Sequence, residues 1–144
     1  MPDPHDLQRF VDAQAQAFAH AWAELRAGRK ASHWMWFVFP QLHGLGHSAM
    51  ARRYGIASLD EARAYLAHPL LGARLVACTR LVLEAARPTA DIFGSLDELK
   101  FRSCMTLFER ASSDGSNVFG AALAMVGNGP DPTTLRLLAA LPPP

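Results

Sequence analysis

The sequence predicts an all-α fold, an irregular multihelical bundle of about six or seven short helices. Apolar residues recur every three or four positions along several segments, which is typical of helices that bury one face. Residues that favour helix N-caps precede many of these segments, and Gly or Pro follows most of them. Only one segment has the composition of a β-strand, and a lone strand has no partner with which to pair.

The first predicted helix begins after Asp6, a residue type that caps helix N-termini, and ends at Gly28. Its apolar residues recur at spacings of three, four and seven, so they share one face of the helix. These residues are Leu7, Phe10, Val11, Phe18, Trp22 and Leu25. Alanines at alternate positions between 13 and 23 favour the helix and allow close packing.

Residues 32–41 (SHWMWFVFPQ) form the most unusual local feature of the sequence. Their β-branched and aromatic content favours a strand by propensity alone. Because no partner strand is evident, we predict instead a buried helical or irregular segment that Pro40 ends. Gly44 and Gly46 predict that a loop follows.

Capping residues and prolines divide the middle of the chain. Ser48 is predicted to cap a short helix that ends at Gly55. The segment Ser58-Leu59-Asp60-Glu61 matches a capping box and predicts the start of another helix. Pro69 suits the first turn of the next helix, which Pro88 ends.

Three further helices are predicted in the remainder of the chain. Ser95-Leu96-Asp97-Glu98 matches a second capping box and opens a helix that a polar segment at residues 112–115 breaks. Residues 118–126 form the next helix. Asp131 and Pro132 combine an N-cap with a proline at the first helical position, and they open the last helix.

The chain is predicted to fold as one domain. Its 144 residues match the size of a single domain, and no internal repeat or long linker divides it. We expect a helical domain over residues 1–141 and a frayed proline tail at residues 142–144.

Charge and hydropathy narrow the classes of function. Fourteen basic against thirteen acidic residues leave a net charge of +1, so nucleic-acid binding is not expected. The N-terminus lacks the pattern of a signal peptide, and the longest strongly apolar run, residues 34–39, is too short to span a bilayer. We therefore expect a cytoplasmic protein without a membrane partner. The oligomeric state stays open.

No motif indicates a metal or a cofactor. His43 and His47 are four residues apart, but two glycines lie between them, and no Glu follows His43 as a zinc protease requires. The glycine-containing loops match neither a phosphate-binding loop nor a dinucleotide fingerprint. Cys104 lies near basic residues that would activate a thiol, but burial in the core is the favoured interpretation.

Two stretches place polar side chains beside apolar ones. In the first, Trp34 could stack on a ring and His33 could supply a polar contact, although the same segment also suits the centre of a core. The second is a predicted helix whose polar residues line either a cleft or a solvent-exposed face. These residues recur every three positions and are Asp97, Lys100, Ser103 and Thr106.

Several blocks of the sequence resemble one bacterial family. They are DLQRFV at 6–11, SHWMWFVFPQ at 32–41, HPLLG at 68–72 and the segment 93–108. Together they are similar to the "domain of unknown function 1810" family (DUF1810), some of whose members are labelled calpastatin-like. The resemblance implies a multihelical, all-α cytoplasmic protein with no established activity. The calpastatin label is not favoured, because calpastatin is a disordered inhibitor and this composition indicates a packed core.

A shorter similarity suggests a class of ligand. Helical proteins of the NADAR superfamily, linked to ADP-ribose and N-glycoside chemistry, join a Gly-x-Arg element to a later helix that contains Lys and Met. Gly72-Ala73-Arg74 and the segment Lys100–Met105 are the matching elements here. This similarity is an analogy between folds, so it implies a ligand class and not a mechanism.

The leading functional prediction is a protein that binds, or an enzyme that acts on, a small nucleotide-like or ADP-ribose-like ligand bearing phosphate. Asp97 and His33 are the catalytic candidates. The predicted ligand-binding residues are Trp34 for the ring, Arg74 and Lys100 for phosphate, and Ser103. The alternative is a non-catalytic protein-interaction module. Convergence of these side chains on one pocket would favour the first prediction, and their dispersal would favour the second.

Overall fold

The structure, a computed structural model, describes residues 2–113 and 117–142 and is all-α over these residues, which confirms the predicted fold class. Within these two described segments, six helices span at least nine residues, and three more span four to six. In chain order they are α1 (Gln8–Arg26), α2 (Met35–Val38), α3 (Ala49–Tyr54), α4 (Leu59–Ala67), α5 (Leu71–Glu84), α6 (Thr89–Phe93), α7 (Ser95–Ala111), α8 (Val118–Val126) and α9 (Pro132–Ala140).

Helix α7 lies at the centre of the fold. It packs against α4, α8 and α9, while α5 packs against α1, α4 and α8. Phe101, Cys104, Met105 and Phe108 of α7 are fully buried, because its inner face meets helices on more than one side. Of the polar residues of this helix, Ser103 and Thr106 are also buried, whereas those of its first two turns are half-buried or exposed.

Residues 32–41, which we call the aromatic segment, lie after α1 and mainly in the core. Its residues form the short helix α2 with irregular flanks, as predicted, and the strand suggested by propensity does not form. The ring of Phe39 packs edge-on against Phe93 and Phe101, with centroids 5.8 and 5.1 Å apart. Among the described residues, β-pairing is limited to an isolated bridge between Leu42 and Ile56.

Several predicted caps are present. The side chains of Ser48, Ser58 and Asp131 accept backbone hydrogen bonds at the starts of α3, α4 and α9. The capping box at Ser58 is only half formed, since the Glu61 carboxylate pairs with Arg9, 2.8 Å away, and not with the Ser58 backbone.

Two predicted caps are wrong. Asp6 has φ 49° and does not cap α1. Asp3 does so instead, because its carboxylate accepts hydrogen bonds from the backbone N–H groups of Leu7 and Gln8 at 2.8 and 2.9 Å. Ser95 is already inside α7 and makes no cap.

The second capping box fails because Glu98 bonds elsewhere and Gly94 takes the N-cap position. The Glu98 carboxylate accepts a hydrogen bond from the Thr89 hydroxyl of α6, a helix that the sequence did not predict. Gly94 adopts φ 80°, which a residue with a side chain rarely tolerates, and this turns the chain sharply from α6 into α7.

The ends of two predicted features lie outside the described residues. Helix α7 ends at Ala111, but Asp114 and Gly115 of the predicted break are not described. Of the predicted proline tail, Pro143 and Pro144 are not described either.

No single helix of the described segments is long and apolar enough to cross a membrane. Helices α4 and α5 reach the required length and composition together, but they are bent by 88° relative to each other.

Candidate functional site

Two adjoining depressions flank the start of α7. The first has a volume of about 390 Å³, and its lining includes Lys30, His33, Trp36, Gly94, Asp97 and Lys100. The second has a volume of about 590 Å³, and its lining includes Gln41, His47, Ser48, Ser103, Asp131 and Thr133. Trp36, Leu96 and Lys100 line both depressions. The two depressions therefore form one continuous surface, which we call the α7 groove.

The loop before α2 is positioned from two sides. The carboxylate of Glu24 in α1 accepts hydrogen bonds from the backbone N–H groups of Ala31 and Ser32 at 2.7 and 2.9 Å. The backbone N–H of Lys30 donates to the carbonyl of Ile92 in α6, 2.7 Å away. These bonds hold the loop against the α6–α7 turn, and this brings Lys30 to the first turn of α7.

Three charged side chains form a chain of ion pairs in the groove. The ammonium of Lys30 lies 2.7 Å from Oδ2 of Asp97, and that of Lys100 lies 3.1 Å from Oδ1. The Lys30 side chain is only 8% exposed. The cluster therefore carries one net positive charge beside the N-terminus of a helix, which is itself a region of positive potential.

The two lysines also contact the indoles of the aromatic segment. The ammonium of Lys30 lies 5.2 Å from the centroid of Trp34, and that of Lys100 lies 5.3 Å from the centroid of Trp36. Such cation–π contacts fix the orientation of the long side chains.

The protonation state of Asp97 follows from this geometry. Partial burial raises the pKa of its carboxyl, but the hydrogen bonds and charges of Lys30 and Lys100 together lower it further. The net result is a pKa below the ordinary value of 3.8, so the group is ionised at neutral pH. Asp97 is an ion-pair partner there and has no proton to donate.

The structure brings four of the six predicted site residues to the α7 groove. His33, Asp97 and Lys100 line the first depression, and Lys100 and Ser103 line the second. His33 is exposed, and the structure shows no hydrogen bond between its side chain and another described residue.

Trp34, the residue predicted to contact the ring of a ligand, does not line the α7 groove. It is 1% exposed, and its indole N–H donates to Oε1 of Glu24, 2.9 Å away. The half-buried indole of Trp36 lines the groove in its place. Trp34 lies just before α2 with φ −140°, so helical spacing does not decide which of the two indoles faces the core.

Arg74 also lies outside the α7 groove. It lines a separate depression between α1 and α5 that shares no lining residue with the α7 groove. The predicted meeting of the Arg74 guanidinium with the Lys100 ammonium does not occur, because Arg74 is on α5, which the described contacts pack against α1, α4 and α8.

Ser103 has a structural partner as well as a place in the groove. Its hydroxyl lies 3.0 Å from the carbonyl of Leu99 and 3.3 Å from Oδ2 of Asp131. Both atoms are acceptors, so the single hydroxyl hydrogen serves one of them at a time. Asp131 also accepts from Thr134, so Ser103 links α7 to the start of α9.

Sequence reasoning missed Lys30 and Trp36 as site residues. Each carried a signal: Lys30 belongs to a small basic cluster with Arg26 and Arg29, and Trp36 belongs to the unusual aromatic segment. Neither signal specified which member of its group reaches the groove, since that depends on the packing of α6 and α7 against the loop.

Metal and thiol chemistry have no support in the described part of the chain. No group of three or more His, Cys, Asp or Glu side chains is arranged there to hold a metal ion. Burial raises the pKa of the Cys78 thiol to about 12, although the charge of Arg74 lowers it, and burial raises the pKa of Cys104 well above its usual range. Both free thiols are buried, which fits the core interpretation of Cys104.

Comparison with known proteins adds a family and a structural relative. A family model described as "Protein of unknown function (DUF1810)" matches residues 4–138. The crystal structure of the conserved hypothetical protein Rv1873 from Mycobacterium tuberculosis is 55% identical and superposes with a TM-score of 0.93, covering 96% of this chain and 100% of that one. No curated protein matches the chain.

Proposed function

The chain belongs to the DUF1810 family over residues 4–138, and we propose that its α7 groove binds a small, ring-bearing anion of nucleotide type. The observation that carries the proposal is the grouping of Lys30, Lys100 and the indole of Trp36 in one depression of about 390 Å³. A pocket of this size suits a ligand rather than a few water molecules.

Charge indicates an anionic ligand. Two ammonium groups share one carboxylate, so one positive charge is left without a partner in the cluster. No side chain of the described segments caps the start of α7, and the first-turn N–H groups of a helix have no partner within the helix. Phosphate oxygens accept hydrogen bonds from both kinds of donor.

The second depression suits the polar part of a nucleotide. Its lining includes the hydroxyls of Ser48, Ser103 and Thr133 and the amide of Gln41. These groups both donate and accept hydrogen bonds, as the hydroxyls of a ribose require. Trp36 lies between the two depressions, where a planar base or a sugar face can pack against its indole.

Binding is favoured over catalysis. An ionised Asp97 with a lowered pKa is a weak base and no acid at neutral pH. Its negative charge is already balanced by two ammonium groups, so it stabilises a developing positive charge poorly. The side chain of His33 has no hydrogen-bond partner among the described residues that would orient its ring.

Thermal shift measurements test the proposal. AMP and ADP-ribose should raise the melting temperature, whereas uncharged adenosine should not, because a ligand that binds only the folded state stabilises it. The shift should be lost in Lys100→Met and reduced in Trp36→Leu. Arg80→Met is the matched control, since Arg80 is exposed on α5 and lines neither depression. A flat response of the wild type to every nucleotide would end the proposal.

A protein-interaction module is the second candidate, and one observation favours it. Leu96 and Leu99 are 74% and 58% exposed at the edge of the α7 groove, far more than large apolar side chains usually are. If this edge binds a second copy, sedimentation velocity should show concentration-dependent association that Leu99→Ser abolishes. A monomer at every concentration would remove that form of the alternative.

A further inference from the structure

A second groove lies between α1 and α5, on residues that the proposed nucleotide site does not use. Its volume is about 400 Å³, and its walls are mainly apolar. They include Phe18 and Trp22 from α1, and Leu70, Ala73, Arg74 and Ala77 from the start and the body of α5. Among the described residues that line it, Arg74 is the only charged one. We call it the Arg74 groove.

The guanidinium of Arg74 is held in place by neighbours from α1. Its Nη1 donates a hydrogen bond to Oε1 of Gln14 at 3.2 Å, and its Cζ lies 4.2 Å from the ring centroid of Phe18. Gln14 is 1% exposed, and its amide nitrogen donates to the Phe37 carbonyl and the Tyr65 hydroxyl at 2.7 and 3.2 Å. Because these bonds orient the amide, its oxygen is turned toward Arg74.

This cation has no acidic partner among the described residues. None of the ion pairs between described residues includes Arg74, so no carboxylate of the described chain lies within 4.0 Å of its guanidinium nitrogens. A guanidinium has five N–H donors, and this one makes one hydrogen bond to the residues that the structure describes. The remaining donors are available to a ligand in a half-buried, apolar setting, where a charge-assisted bond is stronger than in bulk water.

We infer that the Arg74 groove is a binding site for a small carboxylate with an apolar body, such as a medium-chain fatty acid or an aromatic acid. A guanidinium pairs with a carboxylate through two parallel hydrogen bonds, and one negative charge matches the one cation of the lining. A phosphate monoester, with a charge of about −1.5 to −2 at neutral pH, fits less well, because the described lining offers one arginine, whereas the α7 groove offers two ammonium groups and a helix N-terminus. The aromatic and aliphatic walls then cover the apolar body of the ligand.

The three tryptophans provide a direct readout of the site. Trp22 lines the Arg74 groove, Trp36 lines the α7 groove, and Trp34 is buried against Glu24. In a ¹⁵N-labelled protein their indole N–H signals can be followed separately and assigned with Trp22→Phe and Trp36→Phe. Octanoate, added below its micelle-forming concentration, should shift the Trp22 signal saturably and leave that of Trp36 in place.

Matched probes and variants separate the carboxylate contact from simple apolar binding. Octan-1-ol has the same chain without the charge, and it should bind at least about tenfold more weakly than octanoate, as expected for the loss of a charge-assisted bond. Arg74→Met removes the guanidinium but keeps an apolar, unbranched side chain, and it should lower octanoate affinity by a similar factor. Ala73→Phe should fill the groove and block the shift, whereas Arg80→Met on the same helix should behave like the wild type.

Three results would overturn the inference. One is equal binding of octanoate and octan-1-ol, and another is unchanged octanoate affinity in Arg74→Met. The third is a Trp22 signal that moves with protein concentration in the absence of a probe, because the groove would then be covered by a second copy. The inference does not depend on the nucleotide proposal, since AMP is followed at Trp36 and octanoate at Trp22.

Discussion

The indole N–H of Trp34 donates a hydrogen bond to Oε1 of Glu24, 2.9 Å away, and this joins the aromatic segment to α1. The same oxygen accepts from the backbone N–H groups of Ala31 and Ser32, and Oε2 accepts from the Ser32 hydroxyl at 2.5 Å. Burial raises the pKa of Glu24, but these hydrogen bonds outweigh it and lower the pKa to about 2. One carboxylate thus organises the loop that carries Lys30 to the α7 groove.

Glu24 should make the protein sensitive to acid. Its pKa is about 2 in the folded state against an ordinary 4.5, so its contribution to stability is complete above pH 4.5 and is lost as the pH falls toward 2. Glu24→Gln should lower the free energy of unfolding at neutral pH by about 1–3 kcal/mol, as expected for hydrogen bonds to a charged group. Urea unfolding across this pH range measures both effects.

The control for this prediction is Glu84→Gln, at an exposed position at the end of α5. The free energy of unfolding of Glu84→Gln should depend on pH in the same way as that of the wild type. If Glu24→Gln loses stability between pH 4.5 and 2 as steeply as the wild type does, Glu24 is not the group responsible.

Asp97→Asn should destabilise the protein while strengthening anion binding. The substitution leaves the 8% exposed Lys30 side chain without its carboxylate, and we expect a loss of about 2–3 kcal/mol. This is less than for a fully buried pair, because the Asp97 side chain is 20% exposed. The two ammonium groups become free for phosphate, so the thermal shift with AMP should increase.

Lys30→Met in the Asp97→Asn background separates the two effects. The double variant should regain part of the lost stability, since it no longer buries an unpaired charge. It should also lose the increased response to AMP. A smaller AMP shift in Asp97→Asn than in the wild type would show that Asp97 contacts the ligand directly.

Gly72 should tolerate no side chain. A Cβ atom at this position would lie 2.0 Å from the Leu66 carbonyl oxygen, and backbone atoms cannot move aside cheaply. Gly72→Ala should therefore cost about 3 kcal/mol or more, despite the better helix propensity of alanine. Gly120→Ala is the matched control within a helix, because a Cβ there meets nothing closer than 3.9 Å. We expect it to be neutral or to stabilise by up to about 1 kcal/mol, and chemical denaturation compares the two.

Cys78 and Cys104 should be unreactive in the folded protein. Both are fully buried, and burial raises the pKa of each thiol, to about 12 for Cys78, so little thiolate forms at neutral pH. Titration with a chromogenic disulfide should detect no rapidly reacting thiol in the native state and two after unfolding in guanidinium. Rapid modification of either thiol in native conditions would contradict the buried placement.

Local signals in the sequence predicted most of the helices, because their causes lie within one or two turns. Ser48, Ser58 and Asp131 cap helices as their sequence context indicates. The two predicted capping boxes depart from the prediction for one reason, which is that the glutamate of each bonds outside its own turn, Glu61 to Arg9 and Glu98 to Thr89. Glu98 bonds to Thr89 and leaves Ser95 without its capping partner.

The candidate site was only partly predictable for the same reason. Asp97, Lys100 and Ser103 share one helix, so their spacing placed them together. Lys30 reaches Asp97 only because Glu24 and Ile92 hold its loop. The spacing of residues along the sequence does not predict the contact between Lys30 and Asp97.

The sequence by itself determined the all-α fold, the family and most helix boundaries, since apolar periodicity and capping act between near neighbours in the chain. Only the tertiary structure decided that Trp36 and not Trp34 lines the α7 groove, and that Arg74 belongs to a different groove. The physical reason is that burial of a side chain depends on which helices pack around it. That packing joins residues far apart in the sequence.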